Sequence, residues 1–562
     1  AFPTVYEQPL FYDDFFGTIF LDWDSDVLSL DSGPVTASGV EGTARALFGL
    51  TIPLKPGAAG LEMDLMVGLA DSHPVHRVKY VPTVLDENLR NWLADAVGDG
   101  DIRQGAFIWR GSLQRDAGDL RTVQLFFNVA NTSLAYHPQW PPVDRVNGVV
   151  LIDDTSVSVW ADSARMYDST LERLSVEAWM DDFSQVQLAV DASLSGPAAD
   201  GLRIVNESVL GELTDGAFNR WQAQGELQAQ LQLSLNLADV RASPAIELRT
   251  WLQDVAVAIE PGGLQVADIA GELGYSSASG FSSQDLGGML WGKPLQIQLQ
   301  QRPLSKVAPS MAPGESAVEV VLETRVAMDD LHAWLDLPAL DLATGETALR
   351  GKVDIRPGEV PTLQLISDLA GTALDLPAPW AIKVEESREF SLRLPLGSGA
   401  GPLELQLGSD VDLLLGISGG RFGGASLGVG RAPPEIASGV VRVAGQAELL
   451  DVDDWLRFID TYLSSPEAQQ GEAAAATDAL RIRVDDLHVG RVRLGARQVE
   501  DIRFSFALDE RAWQLRAETD WVRGSYFQPA DGRAGLKLDY LDVTGLSAAL
   551  AGEGDAAPDL PG

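Results

Sequence analysis

Cysteine is missing altogether from the 562 residues. That excludes structural disulfides, thiolate metal sites and a cysteine nucleophile. Positive charge is scarce: 41 Lys plus Arg stand against 81 Asp plus Glu, a net charge of −40. Such a surface repels nucleic-acid phosphate and docks poorly on anionic lipid headgroups, so no nucleic-acid partner is expected. No apolar run approaches the ~18 residues that span a bilayer. Histidine is rare, and His73, His76, His137, His332 and His488 show no metal-ligand spacing. Phosphate-cradling glycine motifs are absent, so neither a metal nor a cofactor is expected. The chain starts at Ala1 without Met or a charged-then-apolar leader, which reads as a piece of a longer protein or a mature form.

What is present is alternation. Residues 226–237 read ELQAQLQLSLNL, in which Leu227, Ala229, Leu231, Leu233, Leu235 and Leu237 alternate with polar residues. Successive side chains of a strand point to opposite faces, so one face is aliphatic and the other polar. The pattern recurs at Leu295, Ile297 and Leu299, at Phe390, Leu392, Leu394 and Leu396, and at Ile502, Phe504, Phe506 and Leu508. It returns at Val157, Val159 and Ala161. One apolar face and one polar face predict an antiparallel sheet. Turn signals such as Asp153-Asp154-Thr155, Pro261-Gly262-Gly263 and Asp509-Glu510 punctuate these runs. A loose unit of apolar pair, turn and longer strand repeats at 147–166, 254–273 and 503–520, which predicts a repeat-built assembly.

Helices are few. LDENLRNWLADAV (85–97) puts Leu85, Leu89, Trp92, Leu93 and Ala96 on one face, with Thr83 as a candidate cap. Residues 329–335 and 452–463 read as short helices planting Trp334 and Trp455. Residues 464–478 read as a flexible loop and 552–562 as a frayed tail. The expected divisions are 1–143, 144–305, 306–463, the loop 464–478, and 479–562. The expected fold is all-β with a few short helices: an elongated, curved, twisted antiparallel sheet whose apolar face forms a groove. About 30 strands of ~8–9 residues would stack to a sheet on the order of 140 Å long and 30 Å across.

Motifs that carry chemistry are thin. Gly424-Ala425-Ser426-Leu427-Gly428 matches the G-x-S-x-G nucleophile elbow, with His488 downstream as a partner. The elbow needs a following helix, and Pro433-Pro434 blocks one, so a glycine-rich turn is the plainer reading. Asp-Asp pairs occur at 13–14, 153–154, 181–182, 329–330, 453–454 and 485–486. Paired carboxylates serve glycosidases and calcium sites, but turns and helix starts use Asp for local backbone bonding.

Several segments together resemble the YhdP-type, AsmA-like proteins of Gram-negative bacteria. They include VKYVPTVLDENLRNWLADAVGDGDIRQGAFIWRGSL (78–113), FFNVANTSLAYHPQWPPVDRVNGVVLIDD (126–154) and GELGYSSASGFSSQDLGGMLWGKPLQIQL (271–299). Further along are GTALDLPAPWAIKVEESREFSLRL (371–394), GQAELLDVDDWLRF (445–458) and RIRVDDLHVGRVRLGARQVEDIRFSF (481–506). The resemblance implies a bridge-like lipid transporter of the periplasm whose apolar groove shelters phospholipid acyl chains. It also implies an inner-membrane helix before this stretch and further repeats reaching the outer membrane after it. No catalytic residue is implied. The groove candidates are Leu227, Leu231, Leu233, Leu235, Leu295, Ile297, Leu299, Phe390, Leu392, Leu394, Phe504 and Phe506. The alternatives are an outer-membrane assembly factor working by strand addition and a hydrolase using Ser426.

Overall fold

The computed structural model describes every residue except 1–5, 7–9, 56–59, 115–119, 209–217, 240–243, 261–262, 304–315, 336–337, 357–360, 396–400, 419–420, 464–480, 496, 510–511 and 545–562. The predicted loop 464–478 and tail 552–562 lie outside the described residues. The chain divides into two compact units, Ala1–Gly288 and Met289–Gly562.

Both units are dominated by strands that follow one another in chain order. In the first unit, neighbouring strands pair antiparallel from Gly42–Pro53 through Leu264–Ser276. The three repeated stretches are hairpins: Val143–Asp153 with Ser156–Met166, Ala245–Ile259 with Leu264–Ser276, and Arg497–Asp509 with Ala512–Glu518. At the first of these turns Asp154 takes φ +49, a left-handed conformation that Asp tolerates. The strands are longer than expected. Gln222–Asn236 and Ala245–Ile259 each run 15 residues.

The second unit departs from the all-antiparallel expectation at one place. Strand Val440–Asp451 lies parallel to Arg421–Val429 on one side and to Arg481–Leu494 on the other. Parallel neighbours need a crossover rather than a hairpin. Residues 430–439 make the first crossing, and helix Val452–Leu463 belongs to the second. Alternation cannot reveal this, because one apolar face looks alike whichever way the neighbour runs.

Three helices fall close to their predicted places: Glu87–Ala96, Met328–Leu335 and Val452–Leu463. Asp86, not Thr83, occupies the N-cap position of the first. Its carboxylate accepts from the amides of Asn88 (2.9 Å) and Leu89 (3.3 Å). Besides the single helical turn Arg77–Tyr80, a further helix, Ala198–Glu207, was not anticipated. Its signal was available: Ala198, Leu202 and Val205 are spaced for one helical face.

The strands carry bulges that keep one face apolar. Register shifts fall between Ala161 and Ser163, Leu171 and Arg173, Leu252 and Val255, and Val484 and Leu487. In each case apolar residues are three apart in sequence, as in Leu252-Gln-Asp-Val255 and Val484-Asp-Asp-Leu487. A strict alternation would turn the second onto the polar face, and the extra bulged residue returns it. Asp254 and Asp486 take φ +51 inside these bulges. The pair 485–486 is thus a bulge device, whereas 329–330 and 453–454 occupy helix first turns.

Candidate functional site

Directly opposed residues in a sheet share a face. In the first unit a row of such partners runs Ala44, Leu69, Gly105, Phe127, Val150, Val159, Val176, Val190, Leu233, Ile246. A parallel row runs Ala161, Leu174, Ala192, Leu231, Leu248, Tyr275. In the second unit a row runs Ile297, Leu322, Gly351, Leu365, Leu392, Leu405, Leu413, Leu427, Val443, Val484, Phe506, Leu515, Tyr526, Leu536. No charged residue interrupts any of these rows. Each unit therefore carries an apolar face continuous across many strands, including across the parallel pairs.

That face is largely uncovered. Leu231, Leu233, Leu235, Ile297, Leu299, Phe390, Leu392, Leu394, Phe504 and Phe506 are all half-buried, neither enclosed nor free. Half-burial is what side-by-side aliphatic neighbours give each other in one layer. Along Gln222–Asn236, Gln228, Gln230, Gln232 and Ser234 on the other face are exposed.

Beyond the bulges the same face is covered. Val255, Leu487 and Val489 are 3%, 9% and 0% exposed, and Leu171 is 6% exposed. Helix Val452–Leu463 packs on strand Arg481–Leu494, and helix Met328–Leu335 on Ala343–Ile355. Helix Ala198–Glu207 packs on Gln222–Asn236, and a Cβ on Gly201 would stand 2.6 Å from Leu227 Cδ2. Leu227, 7% exposed, therefore sits under a helix rather than on open floor, and Leu295 is 5% exposed. The apolar face of each unit thus has open stretches and stretches covered by a helix.

Several contacts tie the Ala198–Glu207 helix to residues 167–169. Asp200, buried, accepts from the Ser169 hydroxyl (2.6 Å) and the Asp168 amide (3.0 Å). The Tyr167 hydroxyl donates to Glu207 (2.6 Å), and Arg203 lies 3.8 Å over the Tyr167 ring. Burial, reinforced by that bond to a carboxylate, pushes the Tyr167 phenol up to about 12.

Charge is kept to the opposite face. Arg393 faces Glu404 and Arg350 faces Glu323 there. Glu319, 3% exposed, meets Lys352 (2.6 Å), Arg302 (2.7 Å) and Gln300 (2.7 Å). Burial raises its pKa, but the bonds from Lys352 and Gln300 outweigh this and hold it below the usual carboxylate range. Arg121 is an exception on the apolar face, at a strand end with its guanidinium 5.4 Å over Trp109.

The G-x-S-x-G stretch lies inside strand Arg421–Val429, not on a strand-to-helix elbow. Ser426 is 0% exposed and its hydroxyl donates to the Pro434 carbonyl. Gly424, Ser426 and Gly428 share one face, and the crossing segment 431–437 lies against it. A Cβ on Gly428 would run into the Arg431 carbonyl oxygen, and one on Gly424 into that of Ala437. The motif is a stripe of small residues that lets backbone approach backbone. His488 bonds Asp501 instead. Ser426 opposes Arg442, while His488 opposes Gln446, about 13 Å further along that strand. The two do not form a nucleophile–base pair. His73 and His332 likewise pair with Asp99 (2.9 Å) and Asp341 (3.0 Å).

Sequence reasoning missed most members of the rows, although the signal was there. Residues 403–415, LELQLGSDVDLLL, supply Leu405 and Leu413 by the same alternation.

A family model described as "YhdP protein" matches residues 1–560. The chain is also similar to the "Intermembrane phospholipid transporter YhdP" of Escherichia coli (strain K12), 20% identical over 422 residues. That match covers 73% of this chain and 32% of the relative, so the chain spans about a third of the relative's length. No solved structure matches it.

Proposed function

Starting from the chain's membership of the YhdP family, we propose that it carries phospholipid between the inner and outer membranes through the periplasm, with acyl chains lying in the apolar trough. The observation that carries this reading is the uncovered apolar face, continuous across many strands of each unit. A sheet with one greasy face normally hides it against another layer. Here hydrocarbon is the partner that completes the layer. Each methylene moved from water onto the floor gains ~0.8 kcal/mol. The contacts are non-directional, so a tail slides without breaking specific bonds. The acidic, polar outer face keeps the sheet from associating with its own copies.

The test is direct. The purified chain is washed free of detergent and its bound lipids are identified by mass spectrometry. Its ability to move a fluorescent phospholipid between vesicles is then measured. Stoichiometric phospholipid and protein-dependent transfer are expected. Absence of bound lipid, together with transfer at the protein-free rate, overturns the proposal.

A further inference from the structure

We propose that the roof over the trough in the Met289–Gly562 unit contains a docking point for the ester carbonyls of a diacyl lipid. Its donors are the indole N–H groups of Trp380 and Trp455 and the hydroxyl of Thr372. The proposal rests on the reading that lipid occupies the trough. It adds a polar, specificity-determining element to an otherwise apolar path.

Segment 368–389 lies between strands Thr362–Ser367 and Phe390–Pro395, and its own short strand Thr372–Leu374 pairs antiparallel with Ala343–Ile355. Leu374 and Ile382 exchange backbone bonds across it (2.8 and 3.0 Å), and Ile382 is 4% exposed. Arg388 anchors its far end by two bonds to Asp410 (2.5 and 2.7 Å). Trp380 from this segment meets Trp455 from helix Val452–Leu463, with ring centroids 5.4 Å apart at 72°. Phe458 adds a further edge contact to Trp455 at 5.6 Å. Two separate stretches of chain thus close on each other through aromatic rings.

Both indole nitrogens are buried and have no partner within the protein. The same holds for the hydroxyl of Thr372, a residue only 3% exposed. Buried donors nearly always have an acceptor, and an orphan is unfavourable. Three on one segment and the helix it touches call for oxygen atoms brought from outside the chain. The nearby guanidiniums of Arg388 and Arg457 are committed to Asp410 and Asp454. The three orphaned donors are themselves neutral, and a neutral acceptor matches them. The ester carbonyl is that acceptor. It sits where lipid turns from apolar to polar, the environment that suits an indole's apolar body and single N–H.

The experiment offers the full chain equal amounts of a diacyl phospholipid and its dialkyl ether analogue, with identical headgroup and chain length. The bound ratio is read by mass spectrometry. The wild type is expected to favour the ester lipid by about three- to tenfold, the worth of one or two hydrogen bonds. Trp380→Phe, Trp455→Phe and Thr372→Val keep ring or volume and remove the donor. Combined, they should bring the ratio to one without changing ether uptake, with folding checked by thermal melting. Equal uptake by the wild type means that water serves these donors and overturns the proposal, leaving the lipid-carrying role intact. An ester preference that survives in the folded triple variant also overturns it. Binding of neither lipid overturns both readings together.

Discussion

A single charge placed on the trough floor separates a lipid path from an ordinary packed face. Leu231 stands between Ala192 and Leu248 in its row and is half-buried. Gln230, its sequence neighbour, is exposed on the other face between Ser193 and Arg249. In Leu231→Asp the carboxylate keeps its hydration shell, which denies the floor to about three methylenes of a passing tail. At ~0.8 kcal/mol each, that raises a barrier of about 2 kcal/mol, or on the order of thirtyfold in rate. Tails detouring over Leu233 reduce this towards tenfold. The fold pays less, roughly 1–2 kcal/mol, because the site already borders solvent. Gln230→Asp faces Arg249 and should change transfer and stability hardly at all. The assay is vesicle-to-vesicle transfer at equal protein concentration, with thermal melting as the folding control. Equal loss of transfer in the two variants, at matched stability, would refute the reasoning.

Other perturbations test the contacts that hold the sheet and its helices together. Asp200→Ala strands the buried Ser169 hydroxyl and the Asp168 amide, and should cost about 2–4 kcal/mol. Hydrogen exchange should show helix Ala198–Glu207 loosening before the sheet does. Gly428→Val drives a side chain into the crossing segment and should lower the melting temperature severely, whereas Ser426→Ala should cost only about 1 kcal/mol and leave lipid transfer unchanged. The bond from Lys79, with smaller help from nearby charge, holds the Glu41 carboxyl below its ordinary range. A depressed carboxylate stabilises the fold above its unfolded pKa and loses that contribution as pH falls through the folded one. Exchange protection of the Arg77–Tyr80 turn should therefore fall below about pH 4, and Glu41→Gln should flatten that dependence.

The two-faced strands were legible because their physics is local. A strand with one apolar and one polar face must alternate, and 226–237 does so without interruption. Phe504 and Phe506 were readable for the same reason, as were the helices that plant Trp334 and Trp455. Three features were not read. The parallel strand Val440–Asp451 escapes because alternation carries no direction. The roof over Leu227 depends on where helix Ala198–Glu207 folds back, a long-range contact that periodicity does not encode. The bulges looked like noise or acidic motifs, yet the three-residue spacing of Leu252 to Val255 and of Val484 to Leu487 records them directly. The serine motif misled in the opposite sense. Its glycines answer to the crossing backbone of 431–437, not to a substrate.

The most direct measurement places a photo-crosslinking residue at each position from Glu226 to Asn236 in turn and scores lipid adducts. Adducts at Ala229, Leu231, Leu233 and Leu235, with none at Gln228, Gln230, Gln232 and Ser234, are the expected result. Adducts spread evenly over both faces, or none at any position in a folded chain, would contradict a lipid-bearing trough.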